Sequence, residues 1–235
     1  SILLDGSLTK IERDRIFVIY IIAFFVIFFW AAYEQAGASL TLFAAEQTDR
    51  TIFGWEMPAS WIQSFNPFFV VILAAIMPSV WGALNKRGME PASPTKQAIG
   101  LLLLSLGYLV ICFGVKDVQP GVKVSLIWLT GLYFIHTMGE IALSPIGLSM
   151  VNKLTPVRFA SLMMGIWYLS TSTANKFAGT LGGLYPEDGK VKTLLGFRIE
   201  TMFDFFMVFV IMSGVASLIL FLLSKKLQKM MHGVE

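Results

Sequence analysis

The sequence predicts an all-α membrane protein of six transmembrane helices, and three observations predict it. Of 235 residues, 56% are hydrophobic and 14% charged, against about 45–50% and 25% in soluble domains. The apolar residues gather in runs of about 20 or more, long enough to cross a ~30 Å hydrocarbon core. Those runs exceed the length of barrel strands, and backbone polar groups in lipid must be satisfied within the segment, so the runs must be helices. Disordered, collagen-like and disulfide-stapled classes are excluded, and the single Cys112 cannot form an intrachain disulfide. A formal charge of +3 is too small to imply a nucleic-acid partner.

Each span is bounded by charge, Pro or Gly. The first, Ile16–Ala45, follows the charged stretch Lys10–Arg15, so residues 1–15 read as the end of a cytoplasmic linker. The second, Ala59–Leu84, starts after Pro58 and stops at Lys86-Arg87, and the third, Gln97–Val115, lies between Lys96 and Lys116. Val124–Val151 runs from Lys123 to Lys153, and Phe159–Tyr185 from Arg158 to Pro186. Met202–Ser224 stops at Lys225-Lys226, leaving residues 225–235 as a cytoplasmic tail. Residues 16–224 would then form one six-helix bundle. One face of the membrane receives 11 of the Lys and Arg residues and the other 6, which places both termini in the cytoplasm. The chain opens at Ser1 without an initiator Met and is read as one half of a larger protein.

Ionisable groups inside the spans carry the functional argument, because charge at the bilayer centre costs ~2.5–3.5 kcal/mol on insertion scales. Glu34 and Glu140 each follow a long apolar run, and neither has an evident basic partner at its depth. Desolvation disfavours the charged form of a lone carboxylate, so such a group can load and release a proton. A carboxyl that merely joins two helices is the plainer alternative. Trp30 and Glu34 are four apart and share a helix face, as do His136, Glu140 and Ser144. Pro145 then removes a backbone hydrogen bond and should free the Ile141 carbonyl; bent helices at mid-depth are where transporters place their sites. Asn66-Pro67 repeats the pattern of an amide beside a kink. Trp167 could wall a pocket or belong to an aromatic belt, and Tyr33 and Gln35 are plausible neighbours. His136 reads as an interior histidine, Lys176 as a snorkelling cation and Asp204 as an N-terminal helix charge. Gly179-x-x-x-Gly183 reads as a close-packing motif.

With those residues in hand, the chain resembles the C-terminal half of the proton-dependent oligopeptide transporters of the major facilitator superfamily. The matching segments are Phe29-Trp30-x-x-Tyr33-Glu34-Gln35, Phe65-Asn66-Pro67, Gly139-Glu140-x-x-Leu143-Ser144-Pro145-x-Gly147-Leu148-Ser149 and Gly165-x-Trp167-Tyr168-Leu169. The turn Trp81-Gly-Ala-Leu-Asn-Lys-Arg-Gly88 resembles the superfamily's loop after the second helix, with Asn85 in place of its acidic residue. The resemblance implies proton-coupled symport of di- and tripeptides, with no catalytic residues and no metal or other cofactor, driven by a proton gradient. It implies that Glu34 and Glu140 serve proton coupling and gating and that Glu140 also meets the peptide's amino terminus. Asn66, Ser144, Trp30 and Trp167 would line the peptide pocket. The short connection Lys116–Lys123 fits a bacterial-type member in the inner membrane. The partners implied are small peptides, protons, the lipid bilayer and an N-terminal six-helix bundle, without which this half should not transport. Another proton-coupled facilitator, for nitrate, drugs or other small solutes, is the alternative. An intramembrane serine protease is rejected, since His136 and Ser144 lie eight apart on one helix, about 12 Å along its axis.

Overall fold

A computed structural model of the chain describes residues 6–116, 118, 121–187 and 190–234. Thr9 opens α1 (Lys10–Tyr33) with a capping box, its hydroxyl taking the Glu12 amide while the Glu12 carboxylate takes the Thr9 amide. The remaining helices are α2 (Ser39–Glu46), α3 (Phe65–Lys86), α4 (Ser93–Val115), α5 (Leu126–Leu154), α6 (Ala160–Gly182) and α7 (Met202–Met230). Among the described residues, five spans are long and apolar enough to cross a membrane: α1 with α2, Ala59–Lys86, α4, α5 and α7. The sixth, α6, has 23 residues and the length to cross, but carries a Ser/Thr/Asn-rich middle. The six-helix architecture expected from the sequence is therefore present, with α7 running two turns past Ser224.

α4 packs between α5 and α7, α1 lies against α6 and α7, and α3 leans chiefly on α5. Close approach of α4 and α5 depends on missing side chains: a Cβ on Gly100 would meet Leu143 Cβ at 2.9 Å, and one on Gly139 would meet the Gly100 carbonyl at 2.9 Å. Aromatic rings fill the space between α2, α4 and α7, with Tyr108 stacked 4.8 Å from Phe209 and Phe43 edge-on to Phe206 at 5.2 Å. Thr201 and Asp204 cap α7 reciprocally, which gives Asp204 the helix-terminal place expected of it.

The connections sort onto two faces. On one, Arg15 donates to the Met231 carbonyl at 3.2 Å, His232 meets Asp14 at 2.8 Å, and Arg158 of the α5–α6 connection donates to Ser7 at 3.0 Å. On the other, β1 (Thr48–Asp49) pairs in parallel with β4 (Val124–Ser125), joining the connections after the first and third spans. Two hairpins belong to connections of that second face: β2 (Thr51–Ile52) with β3 (Trp55–Glu56), and β5 (Lys192–Leu194) with β6 (Phe197–Ile199).

Three expectations need correction. The first span is not one helix: α1 stops at Tyr33, a 3₁₀ turn covers Glu34–Gly37, and Ala38 at φ −126°, ψ −102° breaks the path before α2. Asn66-Pro67 is not a kink within a helix, because α3 starts at Phe65 and Pro67 sits in its first turn, where its missing N–H costs nothing; the interior proline is Pro78. Gly179 and Gly183 do not pack helices together here. A Cβ on Gly179 would meet nothing within 4 Å, and one on Gly183 only carbonyls of its own helix.

Candidate functional site

The break in α1 is the element that builds the site. A helix end leaves backbone carbonyls without partners, and here side chains from the core supply them. Gln35, fully buried, donates to the Ala31 carbonyl at 3.1 Å and to the Ala178 carbonyl of α6 at 2.9 Å. Its own oxygen accepts the Ser39 hydroxyl at 2.7 Å, which ties both sides of the break to α6. The buried Tyr108 hydroxyl of α4 donates to the Ala32 carbonyl at 2.6 Å. The last turn of α1 is thereby fixed, and with it Tyr33, whose ring stacks on Phe29 at 5.5 Å and meets Trp30 edge-on at 5.4 Å.

Tyr33 points at α5. Its hydroxyl donates to Glu140 Oε2 at 2.5 Å. The Asn66 amide, from the first turn of α3, donates to the same oxygen at 2.9 Å, to Thr137 Oγ1 at 3.2 Å and to the Tyr33 hydroxyl. Thr137 in turn donates to the Tyr133 carbonyl at 2.7 Å. One oxygen of a half-buried, mid-span carboxylate thus accepts from two neutral donors on two other spans. Among the described residues, no donor reaches Glu140 Oε1, so that oxygen is available to a proton or a cation. The plainer reading, a carboxyl joining helices, is realised through Oε2. The buried Tyr133 hydroxyl, on α5 itself, has no hydrogen-bond partner among the described residues.

The other expected residues divide. His136 does not partner Glu140. It is buried against α4, its Nε2 3.1 Å from the Leu104 carbonyl, so that nitrogen carries the hydrogen; a Cβ on Gly107 would lie 2.3 Å from its ring. Glu34 opens the 3₁₀ turn, exposed, with no ion-pair partner among the described residues. Trp30 is half-buried beside Tyr33. Ser144 is half-exposed one turn beyond Glu140, away from the hydrogen-bonded cluster. Trp167 is packed rather than open, 6% exposed, where a Cβ on Gly147 would touch it at 2.7 Å. Close by, Gln97 donates to the Leu143 carbonyl at 2.8 Å, two residues before Pro145. Sequence reading left Tyr33 as a bare neighbour and missed Thr137. The spacing Thr137-x-x-Glu140, which puts a hydroxyl one helical turn from the acid, was the available signal.

A family model described as the POT family matches residues 7–195. The peptide transporter YePEPT of Yersinia enterocolitica subsp. palearctica is 37% identical over 185 residues, which is 78% of this chain and 36% of that protein. Dipeptide and tripeptide permease A of Escherichia coli is 30% identical over 218 residues, 93% of this chain and 43% of that protein. A crystal structure of a peptide transporter POT in complex with sulfate matches with a TM-score of 0.85 at 29% identity, covering 98% of this chain and 44% of that one. The chain spans less than half the length of the relatives it matches.

Proposed function

The chain belongs to the POT family, and from that premise we propose that it is the C-terminal six-helix half of a proton-coupled symporter of di- and tripeptides. The observation that carries the reading is Glu140: a carboxylate deep in a span, oriented by Tyr33 and Asn66 through one oxygen and open at the other. A free peptide brings a cationic amine, and an acid in a low-dielectric cavity attracts it far more than water allows. Glu34, exposed at the helix break, is the proton-coupling and gating acid, its counter-charge supplied by the second bundle. Asn66, Ser144 and Trp30 line the peptide path, and Trp167, packed against Gly147, backs its wall. Alternating access needs two bundles rocking about a central site, so transport requires the N-terminal six helices as well. The relatives are transporters, which agrees with a role without catalysis or bound cofactor. The excess of Lys and Arg on the face that gathers both termini supports cytoplasmic termini in a bacterial inner membrane.

The test is uptake of a labelled dipeptide by the full-length transporter in proteoliposomes, with and without an inward proton gradient. Gradient-driven accumulation that other small peptides compete with, and single amino acids do not, is the expected result. Absence of peptide uptake under any gradient overturns the substrate assignment and leaves another facilitator specificity in its place.

A further inference from the structure

The two hairpins share a design that a plain turn does not need. Their two-residue loops are Phe53-Gly54, at φ 49° and 81°, and Leu195-Gly196, at φ 50° and 85°. Positive φ at both positions is the type I′ geometry, which favours Asn, Asp or Gly at the first position. A large apolar side chain is crowded there. Phe53 and Leu195 nevertheless occupy it, and both stand fully exposed, at 106% and 101%. Each is flanked by further exposed apolar side chains, Ile52 and Trp55 in one hairpin, Val191 and Phe197 by the other. Strain spent twice on holding an apolar side chain outward, in two connections of the same face, points to something outside the chain that covers it.

The covering phase is identified by where the hairpins are rooted. Trp55 lies 5.4 Å from Trp61, which is itself exposed at the head of the second span; paired exposed tryptophans at a span end mark a membrane–water boundary. Ile199, at the base of the other hairpin, is wholly buried beside the start of α7. The outward side of α7 is apolar, through Ile211, Val215, Leu218 and Phe221, as a lipid-facing helix requires. Leu195 is four residues from Ile199, a reach of roughly 13 Å in a strand, so its tip can return to the boundary. The flanking cations Lys190 and Arg198 are each paired with a carboxylate of the same connection, Glu187 at 2.6 Å and Glu200 at 2.7 Å, so the charge beside the tip is balanced locally.

We propose that the two turns are lipid-interface anchors, Phe53 with Trp55 and Leu195 with Phe197 seating at the headgroup–acyl boundary of the leaflet on this face. The anchors would hold the second and sixth spans at fixed depth. The test places bimane on Phe53→Cys and Leu195→Cys of the full-length transporter, with Arg87→Cys on the opposite face as the exposed reference. Cys112 is replaced by Ala, and the protein is reconstituted in phosphatidylethanolamine–phosphatidylglycerol vesicles. The expected result is stronger quenching by headgroup-nitroxide lipid at 53 and 195 than at 87, with iodide access reduced severalfold. Free iodide access at 53 and 195 overturns the proposal, and so does shielding from both quenchers, which would put the tips against protein. F53N and L195N provide a measurement without labels. Asn relaxes a type I′ turn, so a plain turn gains thermal stability in vesicles, whereas an anchor loses it.

Discussion

Glu140→Gln separates charge from shape. The amide keeps an oxygen that can accept the Tyr33 hydroxyl and the Asn66 amide, at 2.5 and 2.9 Å in the present site. The variant should therefore fold, with a stability change within about 0.5–1.5 kcal/mol, the net worth of one hydrogen bond. What is lost is the carboxylate charge. An ammonium about 4 Å away in an effective dielectric of about 20 is attracted by roughly 4 kcal/mol. If desolvation of the amine consumes half of that, about 2 kcal/mol remains, or about thirtyfold in affinity at 1.4 kcal/mol per decade. The assay is competition against labelled dipeptide uptake in the full-length transporter, using a dipeptide and its N-acetylated form. The native protein should prefer the free amine by about thirtyfold or more, up to about a thousandfold, and the variant should lose that preference while its thermal midpoint stays. A folded Glu140→Gln protein that still discriminates the free amine to the native extent would refute the assignment of Glu140 to the amino terminus.

Two further outcomes test the fold. Gly107→Ala puts a Cβ 2.3 Å from the His136 ring and must displace its bond to the Leu104 carbonyl, a cost of about 2–4 kcal/mol from overpacking and a stranded buried imidazole. Gly179→Ala enters open space and gains up to about 1 kcal/mol of helix propensity; thermal unfolding of the 235-residue chain in detergent separates them, and equal midpoints would sink this account of the α4–α5 contact. Near the β5–β6 hairpin, hydrogen bonds from Lys190 and Lys192 hold the exposed Glu187 carboxyl down at about 2. A folded value below the ordinary one means that the carboxylate's contribution is present above about 4.3 and lost as pH falls toward about 2. Amide exchange in Lys192–Ile199 should therefore rise relative to α4 across that window, and a flat profile would show that the ion pairs do not hold the hairpin.

The helices were legible because charge and proline punctuate long apolar runs, and those signals are local. The break at Glu34–Gly37 was not. Gly37 is a local cue, but an isolated Gly is tolerated within a helical pattern, and the turn is held by Gln35 reaching Ala178 and by Tyr108 reaching Ala32, partners far away in sequence. Glu140 and Asn66 could be found singly, as polar groups where lipid should be. Their meeting could not, because it requires the docking of α3 and α1 on α5. Gly179-x-x-x-Gly183 has the same limit: spacing shows that two backbones can approach, and says nothing about which helix does. His136 is the interior histidine expected. It does share a stripe with Glu140, but Gly107 opens a slot in α4 that takes the imidazole away from the acid.

The chemistry of the exposed residues divides the bundle into two sides and explains why the site is unfinished. The outward faces of α4 and α7 are apolar, with Leu102, Leu106 and Phe113 on one and Ile211, Leu218 and Leu222 on the other. Lipid satisfies those. The outward face of α6 carries Ser172, Asn175 and Lys176 at mid-span or just beyond, and the α1 break exposes Glu34. Lipid cannot satisfy those, because each polar group buried in hydrocarbon costs several kcal/mol without a partner. They must face water or protein, and α1 and α6 are adjacent, so they form one side. The side that lipid cannot cover is thus the side that exposes Glu34. Gly179 and Gly183, idle within this half, lie on that same face of α6, where a close-packing surface has a use only against a partner helix.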